Sequence, residues 1–104
     1  MLTEQLKNQI ENDIKTNKIV IYMKGTADAP MCGFSARTVQ ILQSYQTPVK
    51  DFNIFTSEEL RQGIKEFTNW PTIPQVFING EFIGGCDIVT EMHENGELAT
   101  LLKS

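Results

Sequence analysis

The fold is decided around residues 75–83, which read QVFINGEFI. Two apolar segments, at 75–78 and 81–83, flank the Asn79-Gly80 dipeptide. This dipeptide is the strongest short signal for a two-residue turn between antiparallel strands. Gly84 and Gly85 follow and close the second strand. The sequence therefore predicts a β-hairpin, which supplies the antiparallel edge of a sheet.

Ahead of the hairpin, the hydropathy pattern alternates between helices and strands. Apolar residues recur every four positions within residues 3–16, which predicts an amphipathic helix. The continuous apolar run at 19–23 is typical of a strand that is covered on both faces. A second helix is expected to begin near Cys32, and residues 49–54 have the character of a second strand.

Three further helices are predicted around the hairpin. Thr56 followed by Glu59 matches a capping box, which predicts the start of a helix that Trp70 and the proline after it stop. Asp87 is a suitable N-cap for a helix after the hairpin. Leucines from Leu98 onward then predict a last amphipathic turn or two.

These elements predict an α/β fold with the order α-β-α-β-α-β-β-α-α. A helix between the first two strands implies a crossover and therefore a parallel pair, to which the hairpin adds antiparallel strands. A four-stranded mixed sheet, flanked by helices on both faces, buries this apolar surface economically. The 104 residues are expected to form a single domain, 1–104, because a chain of this length buries roughly two-thirds of its unfolded surface.

Composition and charge restrict the classes of partner. The net charge of −4 disfavours nucleic acid as a general partner. The charge is uneven: residues 1–50 hold six basic and four acidic side chains, whereas residues 51–104 hold three and nine. A small anionic ligand is therefore expected to meet basic groups chiefly from the first half. The longest apolar run, at 19–23, is far shorter than the ~20 residues that cross a membrane, so we expect no membrane association.

Cysteine usage indicates a reducing compartment. The chain has two cysteines and one histidine, which are too few ligands for a zinc site within one chain. The first residues show neither a basic segment nor an apolar core of a secretion signal. We therefore expect reduced thiols and a cytoplasmic location.

Cys32 is the candidate reactive residue. The segment CGFS at 32–35 follows a strand and a loop and opens a helix, where the partial positive charge of the helix N-terminus stabilises a thiolate. Lys24, at the end of the preceding strand, adds a second cationic influence, so the pKa of the Cys32 thiol is expected to be lowered. Ser35 stands where a resolving thiol would sit in a C-x-x-C pair. The alternative is that Cys32 is a buried small hydrophobe, which is the usual fate of a free cysteine.

The chain resembles the monothiol glutaredoxins of the Cys-Gly-Phe-Ser type over nearly its whole length. Four blocks in the right order carry the resemblance: YMKG at 22–25, CGFS at 32–35, WPTIPQVF at 70–77 and GGCD at 84–87. The resemblance implies a thioredoxin-like fold with a cis peptide bond at Pro74, before the third strand. It also implies a glutathione site beside the cysteine of the CGFS block.

The resemblance further implies roles for individual residues. In the family, the residues that match Lys24 and Arg61 hold the carboxylates of glutathione. The residue that matches Ile73 pairs its backbone with the cysteinyl part, and the pair that matches Cys86 and Asp87 receives the γ-glutamyl end. Two cations, an extended backbone edge and a carboxylate at a helix N-terminus complement a ligand with two carboxylates, an ammonium group and a thiol.

Four of these five residues also have a plainer interpretation. Lys24 is a solvated lysine at a strand end, and Arg61 is an exposed helix residue paired with a neighbouring glutamate. Cys86 is a buried small residue beside the ligand or, alternatively, a slow resolving thiol for Cys32. Asp87 is a simple N-cap, a role that is compatible with ligand binding.

The family resemblance implies [2Fe–2S] cluster transfer. Members hold the cluster between two protomers, each of which supplies its cysteine, here Cys32, while two glutathiones supply the other two sulfurs. The implied partners are a second copy of the chain, a BolA-like protein and apo iron–sulfur acceptor proteins. The alternative is glutathione-dependent reduction of mixed disulfides by Cys32 alone, so that the chain is at most a weak disulfide oxidoreductase. A third interpretation is a redox-inert adaptor that binds no glutathione.

Overall fold

In the computed structural model, which describes residues 2–103, the strand β1 (Ile19–Met23) lies inside a four-stranded mixed sheet. The other strands are β2 (Val49–Asn53), β3 (Gln75–Ile78) and β4 (Glu81–Gly84), and the order across the sheet is β2-β1-β3-β4. Strand β2 runs parallel to β1, whereas β3 is antiparallel to both β1 and β4. The predicted mixed sheet is therefore confirmed.

Five α-helices within residues 2–103 cover the two faces of this sheet. Their bounds are α1 (Glu4–Thr16), α2 (Gly33–Gln43), α3 (Glu58–Thr68), α4 (Cys86–Glu94) and α5 (Glu97–Lys103). Helices α1 and α3 pack on one face, and α2, α4 and α5 pack on the other. Among the described residues, no helix is long and apolar enough to span a membrane.

Side chains of β1 alternate between two hydrophobic cores. Ile19, Ile21 and Met23 pack with α2, α4 and α5, whereas Val20 and Tyr22 pack with α1 and α3. All five are at most 1% exposed, and each such side chain contributes about 1.5–3 kcal/mol by its removal from water. Burial on both faces explains why this strand reads as a continuous apolar run.

The hairpin has the predicted turn. Asn79 and Gly80 have φ angles of 54° and 82°. A two-residue type I′ turn requires positive φ at both central positions, and asparagine and glycine adopt it at the least steric cost. This turn matches the twist of the strands on either side, and it fixes the pairing of β3 with β4.

The start of α3 differs from the prediction by one residue. The N-cap is Ser57, whose hydroxyl accepts a hydrogen bond from the Leu60 N–H at 3.2 Å. Thr56, the predicted N-cap, instead belongs to a 3₁₀ turn at 54–56 and donates to the Asn53 carbonyl at 2.8 Å. Ile54, which was predicted to extend β2, also lies in this turn, where its side chain is buried. Two adjacent hydroxyl residues made the sequence signal ambiguous.

The end of α3 agrees with the prediction, whereas the start of α4 does not. Helix α3 ends at Thr68, and its C-cap Asn69, directly before Trp70, adopts the left-handed conformation with φ of 55°. Helix α4 is capped by Gly85, and Asp87 is its second residue rather than its N-cap. Asp87 nevertheless remains in the first turn, where the helix dipole favours a carboxylate.

We predict that Ser57→Ala lowers the free energy of unfolding by about 1 kcal/mol, because it leaves an N–H group at the start of α3 without its acceptor. The measurement is the urea midpoint at constant slope. Ser57→Thr, which keeps the hydroxyl, should retain most of the stability. Equal losses for the two variants would contradict the assignment of Ser57 as the cap.

Candidate functional site

A groove of about 450 Å³ opens where five separate parts of the chain converge. These parts are the end of β1, the start of α2, one side of α3, and the segments before β3 and after β4. Thirteen residues line it: Lys24, Phe34, Arg61, Lys65, Trp70, Pro71, Thr72, Ile73, Pro74, Gly85, Cys86, Asp87 and Ile88. All five residues predicted to hold a ligand are among them, although they lie up to 63 positions apart in the chain.

Cys32 lies beside this groove rather than in its lining. It is the residue just before α2 and is half-buried, so the alternative of a fully buried hydrophobe is wrong. Two residues connect it to the groove: Phe34, two positions along, and Lys24, whose ammonium group acts on the Cys32 thiol. Cys32 is therefore adjacent to the groove through Lys24 and Phe34.

The surroundings of Cys32 lower the pKa of its thiol, as predicted. The backbone N–H of Ser35 has the largest effect, and burial opposes it. The Phe34 N–H, the Lys24 charge and the Ser35 hydroxyl lower the pKa further. The Cys32 side chain makes no hydrogen bond of ordinary geometry to the first turn, but these N–H groups lie near enough to favour the thiolate.

Ser35 also has a structural role. It is fully buried, and its hydroxyl accepts a hydrogen bond from the Lys24 N–H at 3.2 Å. This bond ties the end of β1 to the first turn of α2. The residue that replaces a resolving thiol therefore links the strand that carries Lys24 to the helix that carries Cys32.

The loop between β1 and α2 is fixed by side chains of β2. The Asn53 amide oxygen accepts from the Gly25 N–H at 3.1 Å, and the Asp51 carboxylate accepts from the Ala27 N–H at 2.8 Å. Sequence reasoning missed both side chains. Their signal was two polar residues at alternate positions of a strand, which places them on one face. They hold the loop that leads to Cys32.

The charges in the groove are three cations and one carboxylate. Arg61 is half-exposed and forms an ion pair with Glu58 at 3.2 Å. Lys65 lies one turn further along α3 and lines the same groove, a contribution that was not predicted although its spacing from Arg61 places both on one helix face. Lys24 and Asp87 complete the set. The groove thus has a net positive lining in a chain of net charge −4.

The wall of the groove before β3 presents backbone and aromatic surface. The Ile73–Pro74 peptide bond is cis. The Ile73 side chain packs in the core with α1 and α3, which leaves its backbone as the part that a ligand can pair with. Trp70 also lines the groove while its ring packs edge-on against Phe82, with the centroids 5.8 Å apart. Trp70 is therefore both a packing anchor and a lining residue.

Cys86 faces the groove at the start of α4. It is half-buried, and its sulfur lies 4.0 Å from the Thr90 hydroxyl, one turn along the helix. Within residues 2–103 both cysteines are free thiols. The structure thus places Cys86 as a small lining residue, while its role as a resolving thiol stays a prediction.

Comparison with known proteins identifies close relatives. The family model Glutaredoxin matches residues 19–83. The chain is 53% identical over 94 residues to "Probable monothiol glutaredoxin 2" of Rickettsia felis, a match that covers 90% of each protein. It is 50% identical over 101 residues to "Monothiol glutaredoxin-S15, mitochondrial" of Arabidopsis thaliana. That match covers 97% of this chain but only 60% of the Arabidopsis protein.

A solved structure shares the fold. The solution structure of reduced poplar apo GrxS14 superposes with a TM-score of 0.82 at 47% sequence identity. The match covers 95% of this chain and 94% of the poplar chain. The sheet, the helices on its two faces and their order are thus those of a thioredoxin-like fold.

We predict that the Cys32 thiol is alkylated with a midpoint pH below that of a free cysteine peptide. The measurement is the rate of iodoacetamide labelling of the Cys32 peptide against pH by mass spectrometry. Lys24→Met should raise the midpoint without restoring the free value, because the backbone N–H groups of α2 remain. A wild-type midpoint at or above that of the free peptide would contradict thiolate stabilisation at this helix end.

A second prediction concerns the loop before Cys32. Gly25 has φ of 86°, and a Cβ there would lie 2.5 Å from the Ala29 carbonyl oxygen and 2.7 Å from the Met31 nitrogen. Gly25→Ala should therefore destabilise the fold by about 1–3 kcal/mol through backbone strain, with the overlap adding to the loss. Gly33→Ala is the matched control, because a Cβ at Gly33 meets nothing within 4 Å. Similar melting temperatures for the two variants would show that the loop is not held in this conformation.

Proposed function

The chain belongs to the glutaredoxin family and, within it, to the monothiol glutaredoxins, and on this basis we propose that it binds glutathione beside Cys32 and carries a [2Fe–2S] cluster to acceptor proteins. One observation carries the proposal. Residues from five separate segments converge on one positively lined groove beside a thiol whose pKa is lowered. A disordered loop or a buried cysteine would provide no such arrangement.

The lining complements glutathione group by group. Lys24 and Arg61 provide cations for its two carboxylates, and Lys65 adds a third close to Arg61. The N-terminus of α4 favours a carboxylate through its free N–H groups, while Asp87 pairs with the α-ammonium group of the γ-glutamyl end. The Ile73 backbone is available to the cysteinyl part. This arrangement directs the glutathione thiol toward Cys32.

The ligands of the chain agree with a cluster that is shared rather than enclosed. Within residues 2–103, no group of three or more His, Cys, Asp or Glu side chains lies together to hold a metal ion. A [2Fe–2S] cluster takes four protein or thiol sulfurs, of which this chain offers the accessible Cys32 thiolate. Two copies of Cys32 and two glutathione thiols complete the set. The cluster is thus the cargo of a glutathione-containing homodimer.

Exposed apolar side chains next to Cys32 favour association with other proteins. Met31 is 68% exposed and Phe34 64% exposed, and Ile88, which also lines the groove, is 38% exposed. In the proposed dimer a second protomer covers these side chains. The same surface meets a BolA-like protein or an apo acceptor when the dimer exchanges partners.

The second candidate function is glutathione-dependent reduction of mixed disulfides, which the lowered pKa of Cys32 favours. The Cys32 thiolate attacks the glutathione sulfur of a protein–glutathione disulfide and releases the protein thiol. A second glutathione, as thiolate, then reduces the Cys32–glutathione disulfide and leaves oxidised glutathione. Ser35 contributes no second sulfur, so each turnover depends on free glutathione.

Anaerobic reconstitution with ferrous iron, sulfide and glutathione separates the two candidates. We predict a brown dimer on gel filtration that is lost when glutathione is omitted and in Cys32→Ser. A coloured protein without glutathione, or with Cys32→Ser, would contradict the ligand set. A colourless monomer with rapid turnover of a glutathionylated peptide would favour the oxidoreductase instead.

Charge reversal tests the groove independently of the cluster. We predict that Lys24→Glu weakens the binding of reduced glutathione by about tenfold or more, because a charge-assisted hydrogen bond is replaced by repulsion. Isothermal titration calorimetry measures the change. Lys7→Glu, on the exposed face of α1, makes the same charge change away from the groove and should leave the affinity unaltered. Equal affinities for the two variants would remove Lys24 from the site.

A further inference from the structure

Gln75, the first residue of β3, is a buried polar side chain directly behind the groove wall. Its side chain is polar although it is 0% exposed, and the three residues that follow it in the strand are all apolar. Its backbone is fixed by pairing with Tyr22 of the central strand. Gln75 does not line the groove, so it does not bind a ligand there directly.

The Gln75 amide makes its hydrogen bonds to the last residue of α3 and to the segment between α3 and β3. Its nitrogen donates to the Trp70 carbonyl at 2.9 Å and to the Thr72 carbonyl at 3.2 Å, and its oxygen accepts from the Thr68 hydroxyl at 2.8 Å. The opposite orientation of the amide would place its oxygen against two carbonyl oxygens. Both N–H groups and the oxygen are therefore used, as a buried amide requires.

These bonds fix a segment that has no regular secondary structure. Residues 69–74 lie outside any helix or strand, yet five of them form one wall of the groove. Leaving the buried Gln75 amide without its partners costs about 1–3 kcal/mol, so its hydrogen bonds restrict where the Trp70 and Thr72 carbonyls lie. The backbone of Ile73 follows Thr72 directly, and its position is set by the same restriction.

We propose that Gln75 is a positioning residue that holds the 70–73 backbone in the shape that the ligand of the groove requires. The proposal rests on the proposed glutathione site and adds to it a residue that never touches the ligand. The pairing of β3 with β1 fixes the backbone of Gln75. The side-chain amide then holds the wall through its hydrogen bonds to the Trp70 and Thr72 carbonyls. A side chain without the amide would leave the wall free to shift.

The test uses Gln75→Met in the full chain, with one readout that needs no ligand. Trp70 is the only tryptophan of the sequence, so its fluorescence reports on the wall alone. We expect acrylamide quenching of Trp70 to increase in the variant. The affinity for reduced glutathione should fall about fivefold to tenfold, as for the loss of one ligand hydrogen bond. The alkylation midpoint of Cys32 should not move.

Leu98→Ala is the control for a general loss of stability. Leu98 is 0% exposed in the core on the other face of the sheet, so its truncation destabilises the protein without touching the wall. Quenching and affinity that change equally in Gln75→Met and Leu98→Ala, or in neither, would overturn the proposal. If wild-type protein binds no glutathione, the proposed function fails, and Trp70 quenching still decides the role of Gln75.

A second variant covers the case in which Gln75→Met does not fold. Thr68→Val removes the hydroxyl that donates to the Gln75 oxygen, together with its bond to the Ile64 carbonyl within α3, and keeps the side-chain shape. We expect smaller changes in the same direction for Trp70 quenching and glutathione affinity. The proposal is overturned if Gln75→Met does not fold while folded Thr68→Val shows the quenching and the glutathione affinity of the wild type. Gln75 would then be a residue of the core with no positioning role.

Discussion

The chemistry of the site depends on one constraint, the placement of the Cys32 sulfur at the first turn of α2. Backbone N–H groups there stabilise a thiolate without help from a second cysteine. The position is set by the Ser35 hydroxyl, which joins the helix to the end of β1, and by two side chains of β2, Asp51 and Asn53, which hold the intervening loop. The central sheet thus determines where the reactive atom lies.

The groove exists because the chain brings several element ends to the same edge of the sheet. The end of β1 carries Lys24, the start of α4 carries Asp87, and the segment before β3 supplies the wall. Helix N-termini and free backbone at such an edge favour anionic, peptide-like ligands. A tripeptide with a thiol matches both properties, and in the proposed complex it would supply the sulfur that the CGFS segment lacks.

Local signals were sufficient for the elements, and only tertiary contacts revealed the supports of the site. Strand β1 was predicted because burial on both faces requires a continuous apolar run. The turn was predicted because positive φ at two successive positions favours Asn79-Gly80. Asp51 and Gln75 were missed because their partners depend on packing between elements. The family resemblance named the candidate ligand residues, but their convergence on one groove is a property of the folded chain.

The most direct test of the account is an NMR titration of the ¹⁵N-labelled protein with reduced glutathione. The account predicts that backbone amides of Thr72, Ile73 and Asp87 shift in a saturable manner, together with those around Cys32. The chemical shifts of the amides of α5, which packs on the same face of the sheet as α2 and α4, should not change. Saturating shifts confined to α5, or none at millimolar glutathione, would contradict a glutathione site beside Cys32.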